Sequence, residues 1–418
     1  MKGARDGFMA ALDIGSSKIA CFIARRDGSG RLQVLGIGHR MCQGVRGGVV
    51  IDIAETERAI RAAVEQAEKV AGETVEDVLV SVSGGRPASR IVEAEIALGR
   101  QRVEQRDILQ ALTEAQASAS DADERHLLHA FPACYSLDGA LTAKAPIGLY
   151  GERLGLSLHL ISVDAAPLRN LEAAVAGAHL AVDRFILAPY ASGLAVLVDD
   201  ERELGAAVVD LGAGQTQIGV FLAGALIHSD CIPVGAQHVT SDIARGLMTP
   251  VEHAERLKTL YGAAIASARE DREEIDVPSL GEAETDRDAA NRLPRAMLTG
   301  IIEPRVRETF ELVKARLEDA DFDGGLVRRI VLTGGGAQLP GIVEIARDVL
   351  GHAVRLGRPQ RLPGLADATS GPPFATATGM LLFDDLAAPE AEPRVERQSL
   401  PLGEGRLKRV GRWFRENF

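Results

Sequence analysis

Aromatic side chains are scarce in this sequence: 11 Phe, 4 Tyr and one Trp among 418 residues. Its cores must therefore be filled mostly by Ala, Val, Leu and Ile. Cysteine is rarer still, and Cys21, Cys42, Cys134 and Cys231 stand far apart. That spacing excludes metal-type and redox pairs and fits small apolar fillers in a reducing compartment. No uninterrupted apolar run reaches the roughly 18 residues of a membrane-spanning helix. The opening MKGARDGFMAALDIG has no signal-peptide apolar region before its first acid. Basic residues are outnumbered, 47 Lys and Arg against 59 Asp and Glu, which argues against general nucleic-acid affinity.

What is abundant is glycine, 44 residues, and its placement is informative. The stretch GFMAALDIGSSKIACFIARRDGSGRLQVLGIGHR predicts three strands of a meander, broken after Asp13 and at 27–30. The stretch LGAAVVDLGAGQTQIGVFLAGALIHSDCIPV, residues 204–234, has the same layout. Asp13 and Asp210 occupy equivalent places about 200 residues apart, so the chain contains a duplicated domain core. A strand ending in Asp-x-Gly places a carboxylate at the turn. The small residues after it bare backbone N–H groups that suit phosphate oxygens. Gly15, Ser16 and Ser17 form one such turn; Gly212, Gly214, Gln215 and Thr216 form the other. Facing each other, the turns would hold a polyphosphate, with Asp13 and Asp210 holding a magnesium ion through water. Lys18 would add a point charge. A single Asp-x-Gly turn also reads as a plain β-turn; two with duplicated flanks point to phosphate.

A third signal is RRIVLTGGGAQLPGIVEIARDVLG. A buried strand leads into Gly334, Gly335 and Gly336, whose bare backbone suits a flat ring, and a helix is predicted to start near Pro340. In this order, ALDIGSSKIA, VVDLGAGQTQIGVF and VLTGGGAQLPGI resemble the phosphate and adenosine motifs of the actin/Hsp70/sugar-kinase ATPase superfamily. LAPYASGLAVL and FATATGMLLF resemble its two linking helices. The resemblance implies an α/β fold with a duplicated actin-like (ribonuclease H-like) core, binding ATP and Mg.

Residues 84–162 carry alternating strands around a helix-like stretch with Ile108, Leu109, Leu112 and Ala115 on one side. SVSGG, FPACYSLDG and PIGLYGERL within this α+β insert resemble the FtsA family of bacterial cell-division proteins, in which the insert replaces an actin subdomain. AERLKTLYG resembles the family helix that touches nucleotide, through Glu255 and Lys258; an ordinary exposed i,i+3 ion pair is the other reading. Implied divisions are 1–83 with 163–198 and 199–234 with 324–386 as the core subdomains, 84–162 as the insert and 235–323 as the outer second subdomain. Within the last, residues 264–291 read as an irregular exposed segment. The family further implies polymerisation and recruitment of other divisome proteins. It implies location at the division site, on the cytoplasmic face of the inner membrane. It also implies docking of the FtsZ C-terminal peptide, for which Arg295 is the candidate contact or else a solvated surface residue.

The end of the chain differs in character. Residues 387–403 are rich in proline and charge and predict a flexible linker. GRLKRVGRWFRENF then holds five basic residues, one acid and the only tryptophan. At helical spacing Leu407, Val410, Phe414 and Phe418 share a face, Trp413 sits at its margin, and Lys408, Arg409, Arg412 and Arg415 oppose it. A helix over 404–418 would be about 20 Å long, too short to span a bilayer but suited to lying on an anionic one. Docking on the protein's own core is the alternative.

Members of the superfamily that hydrolyse ATP carry a Glu at the start of the first linking helix. Ala188 stands there in this sequence, which predicts slow hydrolysis at most. A superfamily small-molecule kinase and a PilM-type pilus-assembly protein are the competing readings.

Overall fold

The computed structural model describes residues 7–117, 125–142, 144–266, 273–278, 291–320, 322 and 326–386. Two five-stranded sheets dominate it. In the first, the order is Ala181–Leu187, Asp77–Val82, Phe8–Ile14, Lys18–Arg26, Leu32–Met41; in the second it is Ala225–Ile232, Thr216–Leu222, Ala206–Leu211, Arg329–Thr333, Ala353–Leu356. Numbered along the chain, each sheet runs 3-2-1-4-5 from one edge. Strands 1 to 3 form an antiparallel meander and strands 4 and 5 join in parallel. The duplication read from the two Asp-x-Gly stretches is thus a duplication of topology. The chain has the actin-like α/β fold.

Helices cover the sheets because their apolar residues recur at three- and four-residue spacing. Helix Ile53–Ala71 buries Thr56, Ala59, Ile60, Ala63, Val64 and Ala67; Asp52 caps its start by accepting the Glu55 N–H, and Gly72 ends it in the left-handed region. On the second sheet, Arg295–Asp319 continues through Pro304 and buries Leu298, Ile302, Phe310 and Val313. Helix Ile342–Leu350 lies beside it. This helix starts later than predicted, because Gly335–Gln338 first makes a 3₁₀ turn and Gly341 adopts φ 81° as the cap.

The insert is a four-stranded sheet of order Ala88–Arg102, Tyr150–Asp164, Arg125–Leu137, Ala140–Thr142, covered by helix Gln105–Ala117. It has its own core of Leu98, Ile108, Leu112, Leu154, Leu156 and Leu158 among others. The expectation of an irregular segment over 264–291 is corrected at 274–277, while 267–272 and 279–290 lie outside the described residues. Glu274–Val277 pairs antiparallel with Asn291–Pro294, and Ile275 and Val277 are buried. Two apolar residues at alternate positions were enough for a strand despite the acidic surroundings. The predicted linker 387–403 and helix 404–418 lie outside the described residues. No helix among the described residues is long and apolar enough to cross a membrane.

Helices Ala188–Val196 and Ala375–Leu386 link the halves and cross where both are stripped of bulk. A Cβ on Gly379 would lie 1.7 Å from the Ala191 carbonyl oxygen. Gly379→Ala must push the helices apart, so it should destabilise by about 2 kcal/mol or more. Gly300, inside Arg295–Asp319, has no atom within 4 Å of the same position; Gly300→Ala should stabilise by about 0.5–1 kcal/mol. Denaturant midpoints of the two variants check the contrast.

Candidate functional site

Asp13 is the penultimate residue of strand Phe8–Ile14 and Asp210 that of Ala206–Leu211, in matching register opposite Ala20 and Gln217. The two loops that follow come together between the halves. Ser81, on the strand parallel to Phe8–Ile14, donates to Asp13 Oδ1 at 2.8 Å and accepts the Ile14 N–H at 3.0 Å. Asp210 accepts the Thr376 hydroxyl at 3.3 Å; Ser192 is also near Asp210, with its hydroxyl donating to Pro189 O at 3.4 Å. Ser192 and Thr376 belong to the two linking helices, so each helix brings one hydroxyl close to the same carboxylate.

Lys18 completes the charge cluster. Its Nζ stands 3.4 Å over the centre of the Phe374 ring. Burial lowers its pKa to about 8, against the opposing charges of Asp13 and Asp210. Burial raises Asp13 above the ordinary carboxylate range, opposed by the Ser81 hydrogen bond and Lys18. Burial, and then the charge of Asp13, push Asp210 up to about 6, opposed by Ser192, Thr376 and Lys18. Two carboxylates and one ammonium therefore lie within electrostatic reach of one another in a partly buried place.

The loops touch. A Cβ on Gly214 would lie 2.7 Å from Ser16 Oγ and 2.9 Å from Gly47 N. Ser16 Oγ accepts the Gly48 N–H at 2.9 Å, and its carbonyl accepts from Gln237 Nε2 at 3.2 Å. Gln215 Nε2 donates to Gly47 O, and Gln217 Nε2 donates to Ser83 O at 2.6 Å. Three glutamine amides thus cross from the second half to the first. Not every loop N–H is free for a ligand: Gly15 donates to Lys18 O and Gly212 to Asp210 O. The Thr216 hydroxyl is turned to Val234 O, and the Ser17 carbonyl accepts the Cys42 N–H.

The glycine run lies directly behind Asp210. Gly334 has φ 86°, and a Cβ there would be 2.3 Å from Asp210 Oδ1; Gly336 backs onto Leu211 O; Gly335 has nothing within 4 Å. Glu255 and Lys258 stand on helix Val251–Tyr261. Lys258 Nζ donates to Glu255 Oε2 at 2.6 Å, to Thr240 Oγ1 at 2.8 Å and to Ala236 O at 3.2 Å. The pair so braces the helix Ala236–Gly246 that follows the second loop. Arg295 is apart from this cluster: Nε donates to Tyr261 O at 2.7 Å and the guanidinium pairs with Glu273 at 2.9 Å. Ala188 is buried at the start of its helix. The residues proposed for membrane contact, 407–418, lie outside the described residues.

Sequence reasoning missed Ser81, Ser192, Thr376, Gln217, Gln237 and the hairpin Val45–Arg46/Val49–Val50. Only the hairpin had a local signal: Val-Arg-Gly-Gly-Val-Val is a two-residue turn pattern, and Gly47 and Gly48 have φ 54° and 68°.

Comparison with known proteins decides the family. Residues 207–379 match the family description "Cell division protein FtsA", and residues 84–162 match "SHS2 domain inserted in FTSA". The cell division protein FtsA of Agrobacterium fabrum is 43% identical over 426 aligned residues, covering 99% of this chain and 96% of that relative. The chain belongs to the FtsA family. The Pseudomonas aeruginosa and Escherichia coli K12 proteins are 34% and 32% identical, each with 98% of both chains covered. Among solved structures, a PilM-PilN type IV pilus biogenesis complex matches with TM-score 0.64 at 17% identity, over 90% of this chain and 97% of that one. MreB5 of Spiroplasma citri bound to ADP matches with TM-score 0.53 at 13% identity, over 90% and 96%. These two show the fold alone. The near-complete FtsA matches favour an actin-like cell-division protein over the pilus and kinase readings.

The charge cluster predicts a pH effect. Asp210 titrates near 6 in the folded chain, above the ordinary 3.8, so above pH 6 its charge opposes folding and below about 4 it does not. Asp210→Asn should stabilise the ligand-free protein at pH 7.5 by about 1–2 kcal/mol. The advantage should shrink as pH falls from 6 to 4. Thermal midpoints across that range test it.

Proposed function

We propose that this cell-division protein binds MgATP between its two loops, assembles as filaments, and ties FtsZ to the cytoplasmic face of the inner membrane at the division site. The observation that carries the nucleotide part is the gathering of Asp13, Lys18 and Asp210 where the two homologous loops meet. Carboxylates and hydroxyls make an all-oxygen donor set, which suits magnesium. The ion would offset both the burial of the Asp210 carboxylate and its repulsion by Asp13, which together raise Asp210 to about 6. Backbone N–H groups of the loops and Lys18 would take the phosphates. The open face of Gly335 would take the adenine side, and Glu255 with Lys258 would border the sugar side.

Hydrolysis is proposed to be slow. The position that carries a water-orienting Glu in ATP-hydrolysing relatives is buried Ala188, and the N–H just before it is occupied by His129 Nε2 at 2.9 Å. Nucleotide acts as a conformational and assembly switch. Wild-type protein should bind MgATP, Lys18→Ala should bind it more weakly, and turnover should stay far below that of a sugar kinase. Kinase-like turnover would reject the switch.

Membrane attachment rests on the amphipathic pattern of 404–418. Each cation near an anionic surface contributes about 1 kcal/mol, and the apolar side chains add to it. One tail is then a modest anchor, and filament assembly multiplies it through effective concentration. The full chain should sediment with anionic liposomes and the chain lacking 404–418 should not. Equal sedimentation would point to a tail docked on its own core.

For the FtsZ peptide, Arg295 remains the proposed contact, now with a competitor: an acidic tail would have to displace Glu273. Peptide affinity should fall in Arg295→Glu and rise or hold in Glu273→Gln. An unchanged affinity in Arg295→Glu removes the assignment.

A further inference from the structure

The insert touches both halves of the core through polar groups that the nucleotide site does not use. His129, on Arg125–Leu137, and His159, on Tyr150–Asp164, are both buried. His129 Nε2 accepts the N–H of Leu187, the residue just before the first linking helix, at 2.9 Å. Its ring stacks on Phe131 with centres 5.0 Å apart and stands 6.0 Å from Tyr190 of that helix. His159 faces the other half. Its Nδ1 donates to Leu226 O at 2.8 Å, on Ala225–Ile232, the edge strand of the second sheet. Its Nε2 is 2.6 Å from Ser89 Oγ, which accepts the Ser229 N–H of the same edge strand at 3.2 Å. His228 Nδ1 lies 3.4 Å from that hydroxyl.

Each imidazole is held in its neutral form. Burial lowers His129 to about 3 and His159 to about 4. A buried neutral ring with backbone partners is stable, and one that loses them is costly. The two rings also sit at fixed separation. In the ladder between their strands His159 pairs with Phe131 and His129 with Ile161, so both point to one face, two positions apart. If the halves rotate, Leu187 N and Leu226 O move relative to each other, and a hydrogen-bonded sheet cannot follow both.

We propose that the insert is a strap across the two halves: His129 fastens it to the first linking helix, His159 with Ser89 fastens it to the edge strand of the second sheet, and cleft closure and insert orientation form one linked equilibrium. Whatever partner turns the insert then changes nucleotide affinity, and nucleotide changes the affinity for that partner by the same factor. This rests on the nucleotide reading above.

Ser89→Ala and His159→Gln test the strap in the full chain, with equilibrium MgATP binding and amide deuterium uptake as readouts. The expected result is a dissociation constant raised about two- to tenfold. Uptake should rise across residues 225–232 in the nucleotide-free protein and stay unchanged in Arg295–Asp319. Ser89→Ala decides alone if His159→Gln does not fold. Wild-type protein that fails to bind MgATP overturns the nucleotide reading and the strap with it. Wild-type binding with unchanged affinity in the variants overturns the strap alone. So does weakened binding without added exchange at 225–232, because the loss would then arise elsewhere.

Discussion

The architecture depends on how closely two helices can cross. Ala188–Val196 and Ala375–Leu386 are the joint between two copies of one sheet, and at Gly379 the joint has room for backbone only. That closeness brings Ser192 and Thr376 within reach of one carboxylate, Asp210. A bulkier crossing would part the hydroxyls and, with them, the two loops. Small residues here serve position, since a side chain of any size would separate the elements that converge on the charge cluster.

The few aromatic residues are not spread evenly. Phe131 of the insert, Tyr190 and Phe383 of the linking helices and Phe221 of the second sheet form one connected group around His129. Ring centres lie 4.7 Å apart for Phe131–Tyr190, 6.0 Å for Tyr190–Phe221 and 5.7 Å for Tyr190–Phe383. Large rigid side chains in such contacts add specificity beyond the area they bury. The cores of both halves are mostly aliphatic with single buried rings such as Phe22 and Phe310, and the rings gather at the junction of insert, hinge and second sheet.

Motifs confined to one strand and its turn were legible in the sequence. Asp13 with its loop, Asp210 with its loop and the three glycines could be named because each is a local pattern with a backbone reason. The duplicated meander was legible because the same pattern occurs twice; the two parallel strands that complete each sheet were not placed by it. What supports those groups was not legible. Ser81 reaches Asp13 from 68 positions away and Thr376 reaches Asp210 from 166. A lone Ser or Thr carries no mark of its partner. Arg295 shows the opposite difficulty: a basic residue invites an acidic partner, and the chain provides one of its own in Glu273. The strand Glu274–Val277 was hidden by the acidic stretch around it, although alternate burial of Ile275 and Val277 defines it.

Helix Ala375–Leu386 begins at the site and ends at the last described residue before the C-terminal segment. As twelve residues it is a rod of about 18 Å. Near its inner end Thr376 bonds to Asp210; near its outer end Asp384 and Asp385 pair with Arg184 and Arg26 of the first half. A rod tied at both tips cannot shift at one without straining the contacts at the other.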